Sequence, residues 1–138
     1  MDVNTKLKEL GSSKLLLIIG GPGSGKSKLI RDYSEDAGIP ILDLDKLFGN
    51  TRSDQLDEEL AQFVASYKSD VILVDNKKTL YEKNQNIDLL KILKDLAKDK
   101  IVVATWNGHI EDGQLVHVRA NHDDLIYPVD DSFKYILA

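Results

Sequence analysis

The sequence contains no cysteine, so we expect neither a disulfide framework nor a thiolate metal site. No apolar run approaches the roughly 20 residues of a membrane-spanning helix. The N-terminus lacks the basic start and apolar core of a signal peptide. The formal net charge is -5, so any contact with DNA would need a local basic patch. These absences predict a cytoplasmic protein without membrane contact, and charge gives no support to DNA binding.

The 138 residues are enough for one domain with a buried core, residues 1–138. We expect a short N-terminal helix over residues 3–10 and no separate lid domain. Apolar runs then alternate with segments of helical periodicity, which predicts a three-layer α/β fold with a mainly parallel sheet and helices on both faces. The predicted strands lie near 15–19, 39–45, 71–75, 101–105 and 133–137, and the predicted helices near 25–37, 53–67 and 86–98. Asp112-Gly113 between two alternating segments predicts a β-hairpin near the C-terminus.

A glycine-rich stretch follows the first predicted strand and precedes a predicted helix. It matches G-x-x-x-x-G-K-[ST], the Walker A motif of P-loop NTPases. Lys26 is expected to reach the β- and γ-phosphates of ATP, and the Ser27 hydroxyl to bind Mg²⁺. The residues expected to bind the nucleotide are Gly20, Gly21, Pro22, Gly23, Ser24, Gly25, Lys26, Ser27 and Lys28.

Asp75 directly follows the apolar run Val71–Val74, which is the Walker B arrangement of a strand-end carboxylate that holds Mg²⁺. Many ATPases place a glutamate after this aspartate, whereas this chain has Asn76. Asparagine orients water by hydrogen bonds but accepts no proton. Hydrolysis would then be slow, absent or completed by another residue such as Glu82 or by a partner. The sequence thus predicts nucleotide binding more firmly than turnover.

Asn107 follows the fourth predicted strand in the segment Thr105-Trp106-Asn107-Gly108. A polar side chain there lies beside the γ-phosphate in ATPases that have an extra strand between the two Walker strands. We therefore take Asn107 as the candidate sensor and Thr105 as the next choice. The alternative is that Asn107-Gly108 forms only a turn. Trp106 is expected to pack in the protein rather than to stack on a base.

The remaining histidines and arginines give weaker signals. His109, His117 and His122 are expected at the surface, because their spacing suits a hairpin and the loop after it. An arginine finger would have to come from Arg31, Arg52, Arg119 or a partner protein. Arg119 is the candidate, and Arg31 is expected on the solvent side of its helix.

Several segments together resemble BrxF, the family of small P-loop proteins in type III BREX bacteriophage-exclusion systems. They are Gly20–Ser27, Ile72–Asn76, Ala104–Leu115 with its W-N-G-x-I-x-x-G-x-L pattern, and Tyr127–Asp131. The resemblance covers essentially the whole chain, and the W-N-G segment is its most particular part. It implies a cytoplasmic bacterial or archaeal protein that works with other BREX proteins, and it assigns nucleotide binding to Lys26, Ser27 and Asp75.

Three functions are compatible with these features. The first is an ATP- and Mg²⁺-binding, AAA+-like ATPase or ATP-gated subunit that forms an ATP-dependent homo-oligomer, with Lys26, Asp75, Asn76 and Asn107 as its catalytic candidates. The second is a nucleotide-dependent scaffold without appreciable hydrolysis. The third is a small-molecule kinase, for which Asp43 and Asp45 would bind the acceptor, although such kinases usually carry an arginine-bearing lid that this sequence lacks.

Overall fold

The computed structural model describes residues 2–43, 54–75, 88–119 and 123–138. Within these ranges helices and strands alternate along the first two thirds of the chain, and strands alone follow. The helices are α1 (Val3–Leu7), α2 (Lys26–Ala37), α3 (Leu56–Ser66) and α4 (Leu89–Leu96). The strands are β1 (Leu15–Gly20), β2 (Ile41–Leu42), β3 (Val71–Val74), β4 (Ile101–Glu111), β5 (Gln114–His117), β6 (Leu125–Pro128) and β7 (Lys134–Leu137).

The strands form one mixed sheet. Its parallel part has the order β2-β3-β4-β1-β7, and β4 then continues into an antiparallel extension with β5 and β6. The predicted α/β architecture is confirmed, and its sheet is mixed, with parallel and antiparallel parts. No helix in the described part of the chain is long and apolar enough to cross a membrane.

Strand β1 lies in the middle of the parallel part and is apolar on both faces, as a buried parallel strand requires. Leu15, Leu17 and Ile19 pack in a cluster that includes residues of α3 and α4. Leu16 and Ile18 pack in a second cluster, which includes residues of α1 and α2. Helices therefore cover both faces of the sheet, as predicted.

Two predicted chain reversals are confirmed by backbone geometry. Helix α2 ends at Gly38, which has φ 69° and donates its N–H to the carbonyl of Ser34. The β4–β5 hairpin turns at Asp112 and Gly113, with φ values of 53° and 74°. Two successive residues with positive φ match the twist of a hairpin, which explains an Asp-Gly pair at this point.

Several boundaries differ from the predictions; among residues 39–43, for example, the strand predicted near 39–45 covers only Ile41–Leu42. The N-terminal helix predicted over residues 3–10 ends at Leu7, because shorter-range backbone hydrogen bonds then lead into Gly11, whose φ is 62°. Helix α4 begins at Leu89, and its N-cap is Asp88, whose carboxylate accepts a hydrogen bond from the Lys91 N–H. The predicted cap of this helix, Asn86, lies outside the described residues. The predicted cap of α3, Ser53, also lies outside them. The strand predicted to end at Thr105 runs to Glu111, and β6 was not predicted.

The W-N-G segment joins the antiparallel extension to the parallel sheet through hydrogen bonds and close packing. The Trp106 indole N–H donates to the Val116 carbonyl over 3.0 Å, and Trp106 is completely buried. The Asn107 side chain donates to the Val118 carbonyl over 3.1 Å. Gly108 lies against Val116, so that a Cβ at this position would collide with the Val116 carbonyl oxygen. Asn107-Gly108 is therefore strand rather than the turn considered as its alternative.

We predict that Gly108→Ala destabilises the protein by roughly 1–3 kcal/mol, the usual cost of forcing extra atoms into a packed site. The added Cβ displaces the Val116 carbonyl and strains the Trp106 hydrogen bond to it. Urea unfolding of the two proteins measures the difference. Gly21→Ala is the matched control, because a Cβ at Gly21 meets nothing within 4 Å. Equal stability of Gly108→Ala and wild type would contradict the packing argument.

Candidate functional site

The glycine-rich loop of residues 21–25 connects the carboxyl end of β1 to the start of α2. Gly23 and Gly25 have φ values of 76° and 97°, which residues with a side chain rarely adopt. Gly20 lies beneath Ser24, whose side chain occupies the space of a Gly20 Cβ. The Ser24 hydroxyl is buried and has no hydrogen-bond partner among the described residues. The loop thus curls tightly before the helix and keeps one hydroxyl without a partner there.

Lys26 folds back across this loop. Its Nζ donates a hydrogen bond to the Gly21 carbonyl over 2.9 Å. Partial burial lowers the pKa of Lys26, and the negative charge of Asp75 acts in the opposite direction. The ammonium group therefore lies at the loop and within electrostatic reach of the carboxylate that ends β3.

The Asp75 carboxylate is held by hydroxyl groups from two other elements. Ser27 at the start of α2 donates to Oδ2 over 3.1 Å. Thr105 on β4 donates to Oδ1 over 2.9 Å. The Asp75 N–H in turn donates to the Leu42 carbonyl over 3.2 Å at the end of β2. The structure thus brings together residues that lie far apart in the sequence.

This arrangement suits a bound phosphate with a divalent cation. The Ser27 hydroxyl and the Asp75 carboxylate are the hard oxygen donors that Mg²⁺ prefers, and they already lie within hydrogen-bond distance of each other. The N-terminus of the 12-residue helix α2 adds a positive end beside the loop. Among the described residues, no group of three or more histidines or acidic residues that could hold a metal is found.

Other predicted site residues have different neighbours. The Asn107 amide is bonded to Val118, whereas Thr105, the second choice for the sensor, contacts Asp75 directly. The Lys28 side chain is exposed and forms an ion pair with Asp32 one turn along α2. Asn76 and Glu82 lie outside the described residues, and so do Arg52, His122 and Asp45.

The histidine prediction is wrong for His117. His109 is exposed, within 3.2 Å of Glu111, but His117 is fully buried with its ring centroid 4.7 Å from that of Trp106. Burial, with a smaller contribution from Arg119, lowers the pKa of His117 to about 4. Strand β5 lies between β4 and β6, and the face of β5 that carries His117 packs into the core. The spacing of the histidines in the sequence does not reveal this strand pairing, so the burial of His117 could not be predicted from it.

Arg119 is also placed differently from its predicted role. Its guanidinium is buried and donates two hydrogen bonds, of 3.0 and 2.8 Å, to the Asp123 carbonyl. The guanidinium is thus engaged by the backbone of its own chain. Arg31 is exposed on α2, as predicted.

Comparison with protein-family models finds no match for this chain, and comparison with curated proteins also finds none. The resemblance to BrxF therefore rests on the sequence segments quoted above.

We predict that Asp75→Asn lowers the pKa of Lys26 further. The substitution removes the negative charge that opposes the effect of burial on this ammonium group. An NMR titration of the lysine side-chain carbons measures the change. Asp32→Asn is the matched control, because Asp32 pairs with the exposed Lys28 rather than with Lys26. An unchanged or raised Lys26 pKa in Asp75→Asn would contradict the electrostatic coupling of these two residues.

Proposed function

We propose that this chain is an ATP-binding, AAA+-like P-loop NTPase, with Lys26, Ser27 and Asp75 at its ATP–Mg²⁺ site. The observation that carries the proposal is the 3.1 Å hydrogen bond between Ser27 and Asp75. These residues follow β1 and β3, and β4 lies between those two strands. Parallel α/β sheets characteristically bind ligands outside the carboxyl ends of their strands, where both residues lie.

Each residue of the site has a distinct part in binding. The loop N–H groups and the N-terminus of α2 bind phosphate oxygens. Lys26, which now donates to the Gly21 carbonyl, would bind a phosphate oxygen, since a charged donor and a charged acceptor form a stronger hydrogen bond. Ser27 and Asp75 would hold Mg²⁺, and Thr105 orients the Asp75 carboxylate. The cation, when bound, would neutralise part of the phosphate charge.

Whether binding leads to turnover depends on the group that activates water. Asn76, the residue after Asp75, accepts no proton. The ATPase hypothesis therefore requires another base, from Glu82 or from a partner. The nucleotide-gated scaffold requires none and is the second candidate. The kinase hypothesis stays a prediction, because Asp45, one of its two acceptor-binding candidates, lies outside the described residues.

The biological setting that we propose follows from the resemblance to BrxF. In that setting the chain acts in the cytoplasm with other BREX proteins and forms an ATP-dependent homo-oligomer. Because Arg119 is buried, an arginine finger from a second copy would have to be Arg31 or Arg52. A partner protein is the other source for this charge.

We predict that Lys26→Ala weakens ATP–Mg²⁺ binding by roughly tenfold or more, since a hydrogen bond to a charged group contributes about 1.5–3 kcal/mol. Isothermal titration calorimetry measures the affinity. Lys28→Ala removes the same charge from the same helix, but from an exposed side chain paired with Asp32. It is expected to bind almost as wild type does. Unchanged affinity in Lys26→Ala, or equal losses in both variants, would contradict the assignment of Lys26.

Turnover and assembly are best measured on the same wild-type samples. Light scattering with and without ATP–Mg²⁺ gives the mass, and phosphate release gives the rate. Assembly accompanied by release supports an ATPase completed between subunits. A monomer that binds ATP without release supports the scaffold. The Lys26→Ala protein sets the background rate for both outcomes.

We predict that Thr105→Val reduces about tenfold the factor by which Mg²⁺ strengthens ATP binding. Removing a residue that orients a metal ligand commonly lowers metal affinity by about 10- to 100-fold, and the prediction takes the smaller of these values. Valine keeps the shape of threonine but donates no hydrogen bond to Asp75. Thr105→Ser is the matched control and should retain most of the effect. If Thr105→Val leaves the effect of Mg²⁺ on ATP binding unchanged, the positioning role of Thr105 is wrong.

Asn107→Ala tests the alternative sensor. It should slow turnover more than it weakens ATP binding if Asn107 senses the phosphate.

A further inference from the structure

The antiparallel extension of the sheet has one face in the core and a second face that is exposed only in part, since Val116 at its centre is buried. Ile110, Leu115 and Tyr127 point inward and pack in the cluster that contains Trp106. Because side chains alternate along a strand, the intervening residues point away from that cluster. They form what we call the outer face: His109, Glu111, Gln114, Val116, Ile126 and Pro128, with Val118 directly after β5.

The outer face carries apolar side chains that nothing in the described part of the chain covers. Ile126 is 58% exposed and Val118 is 37% exposed. Leu137 on β7 is the other large exposed apolar residue among those described. Ile126 pairs in register with the buried Val116 on the central strand β5, and β6 pairs with no second strand among the described residues. Single exposed apolar residues are ordinary, but two on one unpartnered sheet face form a small apolar centre.

The segment that forms the extension is acidic. Residues 108–133 contain six carboxylates and one arginine, a formal charge of -5. Glu111 lies on the outer face, and Asp123 and Asp124 directly precede β6; these three residues are exposed, whereas Arg119 is buried. Asp130 and Asp131 lie beside lysines and are not counted with this face. The exposed carboxylates beside β5 and β6 attract cations.

We propose that the outer face docks a basic protein segment that places an apolar side chain against Ile126 and Val118. Its lysine or arginine side chains would lie opposite Glu111, Asp123 and Asp124. An apolar centre within a charged rim is the common anatomy of such an interface. This docking does not rest on ATP binding, although the face borders the glycine-rich loop: Val118 is bonded to Asn107, which pairs with Gly20.

The lysine-lined groove between α3 and α4 of a second copy is a poor match for this surface. The groove between α3 and α4 has a volume of about 610 Å³, and lysines line its rim. However, Lys91 and Lys98 both form ion pairs with Asp95 of their own chain. Lys100 likewise donates to the Ser69 carbonyl over 2.7 Å. The lysines at this groove are therefore already engaged, so a second copy would have to break these contacts in order to bind.

The test uses the full chain labelled with ¹⁵N and a peptide of alternating lysine and leucine, about six residues long, the usual length of a strand. Addition of the peptide should shift the amide signals of the outer face, namely those of His109, Glu111, Gln114, Val116, Val118 and Ile126. Ile126→Thr should weaken binding by about tenfold, because it removes buried apolar area at the centre. A peptide of alternating glutamate and leucine should cause no such shifts.

Matched variants separate specific docking from general attraction. Leu137→Thr removes an equally exposed apolar side chain from β7 and should leave the affinity unchanged. The double variant Asp123→Asn, Asp124→Asn should weaken binding, whereas Glu35→Gln, Asp36→Asn on the exposed side of α2 should weaken it much less. These charge variants decide the question even if Ile126→Thr fails to fold.

Three results would overturn the proposal. One is a set of peptide-induced shifts that lies away from the outer face. Another is an equal loss of affinity in the Ile126 and Leu137 variants, or in the two charge variants. The last is self-association of the chain without peptide that Ile126→Thr abolishes, since the occupant of the face would then be a second copy.

Discussion

The Asp75 carboxylate is the point at which the parts of this fold meet. One oxygen accepts a hydrogen bond from Ser27 at the start of α2, and the other accepts one from Thr105 on β4. The backbone of the same residue is bonded to the end of β2. A partly exposed anion is stable here because donors surround it and the Lys26 ammonium lies nearby. The strand order is what makes these contacts possible, since β4 lies between β1 and β3.

Strand β4 serves two parts of the molecule. Its first half is buried in the parallel sheet and carries Thr105 to Asp75. Its second half leaves that sheet and forms the hairpin with β5. Trp106, Asn107 and Gly108 lie at the junction and fix the returning strand through hydrogen bonds and close packing. The segment that carries most of the resemblance to BrxF is thus a structural joint beside the candidate nucleotide site.

The sequence was sufficient to predict the parallel strands, because continuous apolar runs such as 15–19 and 71–74 are typical of strands buried on both faces. It also predicted the hairpin turn, since Asp112-Gly113 supplies two residues that tolerate positive φ. The burial of His117 and the contact of Thr105 with Asp75 could not be predicted in the same way. Both depend on which strands become neighbours, and that pairing is decided by packing over the whole sheet. Strand β6 was missed because four residues ending in proline give too short a pattern.

The buried imidazole of His117 makes the extension sensitive to acid. Its pKa in the folded protein is about 4, below the ordinary 6.5, because burial and Arg119 disfavour the charged ring, while Asp88 and Asp124 oppose this only in part. The unfolded chain therefore takes up a proton at a higher pH than the folded chain does. The contribution of this residue to folding free energy is complete above the ordinary pKa and falls as the pH decreases from 6.5 toward 4. Acid therefore acts on the folded state through the ring that lies against Trp106, at the point where the extension packs on the core.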